Sequence, residues 1–509
     1  MKKYHLVLKN ANVITMDKQL RKANWIAVKD GKIVQVGRGE NYPTDAEEVM
    51  DLQGRTVLPG FFDCHTHIMN SGLYAHSVNL SNVKNLQEAL NLIEEKCLEK
   101  KNDSWVFGAD YLDVCIAEKR FPNRWELDEV SHGHKILIFS STMHCCAVNS
   151  AGLPDAKISA DTAGVLKENG EINGIFASDE SALLGSSNIL GSLTEEEVWK
   201  YIFYGANHAC ENGITTLQGL VGGLIAEDKD LYVLLNNQDK LPISVLPFFQ
   251  TWDVKHAKSL GLPRVGGCLT LDGAIFEHTM ANFEPYSNNP SVRGMLYYND
   301  QEVYDFVSEA HRENMQCTMH AVGERAIDQL LWIYHRVFEE QGKKDLRHRI
   351  EHFDLPTEKH IKLAAELGII MSMQPGFSLY WEDLSEMFVG KDRIMRLDPF
   401  KAIIEAGGII CGGSDCPITD TTPLTYIAHC STRKDPKQNI SMTDALKMFT
   451  INGAYACKVE DRKGSIEVGK DADLVVIDRD PYEHVGKSSV FEMGVDYTLV
   501  AGEIKYKKV

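Results

Sequence analysis

Long apolar runs are absent from these 509 residues. The strongest, KILIF at 135–139 and LVVI at 474–477, stop far short of the roughly 18 residues needed to span a bilayer, so no membrane contact is expected. The opening MKKYHLVLKNANVITMDK turns polar within ten residues and has no small-residue cleavage site. That predicts no signal peptide and a cytoplasmic location. An excess of positive charge is missing too. The 53 Lys and Arg against 72 Asp and Glu leave a formal charge of −19, the wrong sign for a surface that must attract phosphates, and no nucleic-acid partner is expected. CxxC pairs are lacking, and the 12 cysteines, scattered from Cys64 to Cys457, read as reduced thiols. Neither a fixed-period repeat nor a low-complexity tract is present. What remains is globular composition, 44% hydrophobic and 25% charged. At about 150 residues per domain it has room for two or three folding units.

Short alternating strands separated by turns fill the first sixty residues, with Asp30-Gly31 marking a hairpin. The last fifty have the same texture, so residues 1–58 and 460–509 are expected to form one β domain with the termini side by side. Between them, buried strands alternate with amphipathic helical stretches, the pattern of βα units in a parallel sheet. Eight candidate strands fall at 57–67, 213–219, 243–249, 265–274, 316–323, 348–353, 369–375 and 408–417, a number that suits a closed βα barrel over 59–459. The interval from His67 to Ile214 is too long for one βα connection and carries its own apolar segments, which predicts an inserted subdomain at about 70–190. Within it, 164–174 is polar and turn-rich and reads as a loop near the barrel mouth.

His65 and His67 stand at i and i+2 at a strand end, where alternation puts both on one face about 7 Å apart between alpha carbons. Such a pair chelates, and imidazoles suit zinc and related divalent metals. Three other strands end in His320, His352 and Asp415. Barrel active sites lie at the C-terminal strand ends, so these residues converge although they are far apart in sequence. Satisfied core histidines and a helix-capping aspartate would explain any one of them, but they explain all five together poorly.

The motifs LPGFFDCHTH, MHCCAVNSAGL, LDGAIFEHT, HAVGERAID, RIEHF, GGSDCP and GSIEVGKDADLVVID together resemble the metal-dependent amidohydrolase superfamily, and within it amidohydrolase family 3, over nearly the whole chain. The resemblance implies an α/β fold, a (β/α)8 TIM barrel with a small β-sandwich domain built from both chain ends. It implies that His65 and His67 bind one metal with Asp415, and that His320 and His352 bind a second metal or serve the substrate. Where the superfamily often carries a carboxylated lysine, four residues before the aspartate of a DG pair, this chain has Cys268. A thiol cannot form that carbamate. Either Cys268 ligates metal as a thiolate, or it packs inside the barrel and the site holds a single ion.

The implied chemistry is metal-assisted hydrolysis of a C–N bond in a small molecule, an amide, cyclic amide or amidine, with one or two divalent ions, zinc before others if the thiolate binds. Asp415 is the expected proton shuttle. His320 or His352, if not a ligand, would stabilise the oxyanion. His144 is expected to contact substrate, and Asp272 either supports substrate binding or sits in a turn. Trp105, Tyr111, Phe377, Tyr380 and Trp381 are candidates for the pocket lining, against the alternative that they are core. Glu351 is expected on the opposite face of its strand from His352, in the shell outside the barrel. The same scaffold also serves deamination, ester hydrolysis, isomerisation and decarboxylation, and a fold kept only for binding or regulation is the reading of a different class. Large barrels often self-associate, so a homo-oligomer is compatible with the sequence.

Overall fold

In this computed structural model residues 3–19, 21–101, 104–223 and 225–508 are described. The centre is a ring of parallel strands. Phe61–Thr66, Ile214–Val221, Ser244–Phe249, Arg264–Val265 and Gln316–Cys317 form one sheet, and His320–Ala321, Arg349–His352, Ile370–Met373 and Ile409–Gly412 form a second. The fifth strand is thus split between the sheets, its first piece pairing with Arg264–Val265 and its second with Arg349–His352. A parallel bridge from Thr66 to Cys416 joins the eighth strand to the first. The result is a mixed α/β fold of barrel type, and its strands Phe61–Thr66 and Ile214–Val221 are buried along their whole length, polar residues included.

Three of the expected elements differ, each for a local reason. The 57–67 segment is two strands. Thr56–Pro59 pairs antiparallel with Leu474–Ile477, whereas Phe61–Thr66 pairs with the second barrel strand. Gly60 divides them, pressed so close to Thr215 that an added Cβ would lie 2.3 Å from its side chain. The fourth strand ends at Val265 rather than 274, because Gly266 and Gly267 take φ of 107 and 61 and leave the ladder. The 164–174 segment is a hairpin, not a loop. Val165–Glu168 and Glu171–Phe176 pair antiparallel around Asn169-Gly170, both at positive φ, the combination that favours a tight hairpin turn.

Strands from both chain ends share one six-stranded sheet in which Thr56–Pro59 lies between Leu474–Ile477 and Asn12–Ile14. It faces a four-stranded sheet across a common core of Leu6, Val28, Ile33, Val57, Val476 and Leu499. Between the first and second barrel strands in sequence lies a further six-stranded sheet, with Val78–Asn79 at one edge and Val165–Glu168 at the other. No helix among the described residues is long and apolar enough to cross a membrane.

Two helices lock the start of the site. Helix Ile68–Ala75 begins directly after His67 and packs on helix Glu195–Glu211 nearly backbone to backbone. A Cβ on Gly72 would stand 2.1 Å from the Tyr201 carbonyl oxygen, and one on Gly205 2.5 Å from that of Ile68. Gly72→Ala is therefore expected to destabilise the protein by about 2 kcal/mol or more through overpacking. That outweighs the roughly 1 kcal/mol gained in helix propensity. A denaturant midpoint equal to or above that of the parent would contradict this packing.

Candidate metal centre

The ends of the first and eighth strands are cinched together. The Asp415 N–H donates to the His65 carbonyl at 2.7 Å, and the Ser414 and His65 N–H groups both donate to Asp63 Oδ1. Gly413 passes so near His65 that a Cβ there would meet its Cβ at 2.7 Å. Asp415 itself adopts φ of 57, a strained conformation of the kind functional residues often hold. Its Oδ1 then lies 3.1 Å from His65 Nε2 and 3.2 Å from His67 Nε2. His67 is not on the strand. It caps the following helix, and its N–H is held by the Cys416 carbonyl at 2.9 Å.

Beside this triad, Cys268 Sγ stands 3.7 Å from His320 Nδ1 and 3.6 Å from His352 Nε2. Cys268 follows the shortened fourth strand and is not a strand residue. His65, Cys268 and His352 make a second group with ligand atoms within 4.8 Å of one another, so the two groups share His65. Ligands around a tetrahedral zinc, with bonds near 2.0–2.3 Å, stand roughly 3.3–3.6 Å apart. The observed spacings, 3.1 and 3.2 Å in the triad and 3.6 and 3.7 Å around Cys268, bracket that range.

Glu351 corrects an expectation. It lies inside the ring, where it accepts from His65 Nδ1 at 2.6 Å, from Thr318 Oγ1 at 2.7 Å and from Arg349, which is itself fully buried. Simple alternation would then send His352 outwards. Instead His352 and Phe353 take φ of 73 and 56, and that left-handed turn brings His352 beside Cys268 on the same side as Glu351.

Three of the four imidazoles are oriented from behind, and His67 Nδ1 is buried without a hydrogen-bond partner. His65 Nδ1 is engaged by Glu351, His352 Nδ1 donates to Gln374 Oε1 at 2.9 Å, and His320 Nε2 faces the Gly273 carbonyl at 3.5 Å. These contacts leave the lone pairs of His65 Nε2, His352 Nε2 and His320 Nδ1 turned towards Asp415 and Cys268. His65 Nε2 and Asp415 Oδ1 have no hydrogen-bond partner although both are buried. Lone pairs that meet an anion at 3.1 Å are reconciled only by a proton or a cation. This donor set therefore fits a divalent metal.

The electrostatics agree. Burial alone would lower His65 and His67, but the Asp415 carboxylate raises both, His67 to about 9 with Cys268 contributing. Burial disfavours the Cys268 thiolate, yet the surrounding His320, His352, His65 and His67 hold it well below the ordinary thiol range. The site stabilises thiolate and carboxylate together, the form in which they ligate metal.

Above the cluster opens a cavity of about 600 Å³. His144 lines it, its ring 5.9 Å from that of His320. Asp272 does not. It is fully buried, and its oxygens accept the N–H groups of Val322, Gly323 and Ala281, so it shapes the turn that carries His320. Of the expected aromatics, Phe377 and Trp381 line the cavity. Trp105 stacks on Phe107 in the inserted sheet, Tyr111 bonds the Arg120 carbonyl, and Tyr380 faces outwards, 54% exposed. Trp252, Tyr298, Phe276 and Asp354 also line it, and sequence reasoning did not find them. No periodic signal marks loop residues of this kind.

The profile of the amidohydrolase family matches residues 48–506. Over 541 residues the chain is 27% identical to the N-substituted formamide deformylase of Arthrobacter pascens, covering 99% of this chain and 98% of that protein. It is 25% identical to the Arabidopsis thaliana protein LONG AFTER FAR-RED 3, covering 98% and 91%. An uncharacterised metal-dependent hydrolase from Pyrococcus horikoshii OT3 superposes with a TM-score of 0.77 at 23% identity, over 94% of this chain and 98% of that one, a likeness of fold. With a family match over most of its length, the chain belongs to the amidohydrolase family.

Proposed function

We propose that the chain hydrolyses a C–N bond of a small-molecule amide, cyclic amide or amidine. The observation that carries this is the pair of ligand groups that share the buried His65 and reach the cavity through His67, Asp415, Cys268 and His352. His65, His67 and Asp415 would hold one divalent ion, and Cys268, His320 and His352 a second, with zinc favoured by the thiolate. When bound, the metal supplies a lowered pKa to water and polarisation to the carbonyl.

The chain's own groups do the rest. Asp415 accepts the proton of the attacking water and returns it to the leaving nitrogen, a role suited to a carboxylate kept ionised by His65 and His67 despite burial. His144 reaches the cavity from the inserted segment and contacts the substrate. Gln374 and Glu351 keep His352 and His65 in the tautomers that ligation needs. We take 59–459 as the catalytic unit and 1–58 with 460–509 as its composite β partner, in a cytoplasmic protein whose partner is its substrate and not nucleic acid.

The relative that acts on N-substituted formamides directs the test. Metal-loaded protein is incubated with N-substituted formamides, other N-acyl amines, cyclic amides and ureas, alongside esters, and amine release is followed. Turnover of at least one C–N substrate class is expected. Hydrolysis of esters alone, or of nothing, would contradict the reading.

A further inference from the structure

On the reading of this site as a C–N hydrolase, we infer that its substrate carries an apolar, ring-sized group without negative charge, and that the cavity walls reject anions. Among the described residues no Lys or Arg lines the cavity, in a chain that has 53 of them. The acidic side chains there are Asp228, Asp253 and Asp354, beside Asp415 in the metal cluster. The histidines of the cavity are His67, His144, His320 and His352, and three of these belong to the cluster itself.

The walls away from the metal are aromatic. Trp252 and Tyr298 sit with centroids 4.5 Å apart, and Phe377 and Phe276 flank Trp381 at 5.7 and 6.1 Å. These rings offer faces to a planar apolar group, and their negative faces tolerate a cation. Asp354 is 3% exposed and its Oδ1 has no hydrogen-bond partner, so it is available to a substrate N–H. Asp228 and Asp253 are fixed by the N–H groups of Gly223 and His256, both at 2.8 Å. A carboxylate on the distal half of a substrate would lose its hydration, find no Lys or Arg among the described lining residues, and face Asp228 and Asp253.

The test uses one skeleton in three charge states: N-(2-phenylethyl)formamide, its ring 4-carboxylate and its ring 4-aminomethyl derivative. The readout is kcat/KM where a compound is hydrolysed and Kd by calorimetry where it is not. The neutral compound is expected to exceed the carboxylate by at least about 30-fold, the aminomethyl compound standing near the neutral one, as the cost of an unpaired carboxylate implies. In Asp228→Asn/Asp253→Asn, which keeps both acceptors, that ratio is expected to narrow. Comparable values for neutral and carboxylate, a preference for the carboxylate, an unchanged ratio in the double variant, or no binding by any of the three would overturn the inference. Selective binding of the neutral compound without hydrolysis would uphold it and instead count against the hydrolase reading.

Discussion

Replacing Asp415 by Asn is expected to lower kcat/KM by about 10³-fold or more, at the high end of what one proton-transfer group contributes. Its Oδ1 is within 3.2 Å of both His65 and His67, so the change removes a charge that binds metal and the base that handles the water proton. Asparagine keeps the size and the backbone contact to His65, and the fold should survive, which circular dichroism checks. The assay is run at saturating metal so that weaker binding alone does not account for the loss. Activity within about tenfold of the parent under those conditions would remove Asp415 from the chemistry.

The second large effect is at Glu351, whose one carboxylate serves both His65 and Arg349. Glu351→Gln retains an acceptor but not the charge that fixes the His65 tautomer, so metal affinity is expected to fall about 10- to 100-fold. Both variants leave the fully buried Arg349 without its anion, and an uncompensated buried charge costs about 3–5 kcal/mol; Glu351→Ala also removes the hydrogen-bond acceptor. Burial would raise the Glu351 carboxyl, but Arg349 and His65 hold it at about 2. Because this folded value lies below the unfolded one, its stabilisation is fully present above about pH 4.5 and is lost as pH falls towards 2. The parent should therefore unfold on acidification with a contribution that Glu351→Gln lacks. Equal metal affinity in Glu351→Gln and the parent would mean that Glu351 only supports Arg349.

How far the site was legible depends on the kind of signal each residue leaves. His65 lies near a strand end, His67 just past it, and His320, His352 and Asp415 lie at or just beyond the C-terminal ends of other barrel strands, so topology brought them together although the strand alternation expected for His65 and His67 does not extend to His67. The same reasoning failed for Glu351 because it assumed regular alternation. The positive φ values at His352 and Phe353 that break it have no glycine to announce them. Cys268 is marked only by the family resemblance, as the position where the superfamily often carries a carboxylated lysine, and the two glycines before it end the strand so that no strand face places it. Asp272, read either as supporting the site or as a turn residue, accepts three backbone N–H groups and has its Oδ1 3.7 Å from His320 Nε2. Asn169-Gly170 carried a hairpin signal that the surrounding polar residues masked. Trp252, Tyr298 and Asp354 reach the cavity only through the path of loops, which depends on long-range packing and leaves no local trace.

The central claim is that His65, His67, Cys268, His320, His352 and Asp415 form a metal centre. Elemental analysis by mass spectrometry of protein purified without added metal, run beside Cys268→Ser and Asp415→Asn, tests it most directly. The account predicts about one or two equivalents of a divalent metal, chiefly zinc, with less in each variant. Absence of bound metal, together with no uptake on incubation with zinc or manganese, would contradict it.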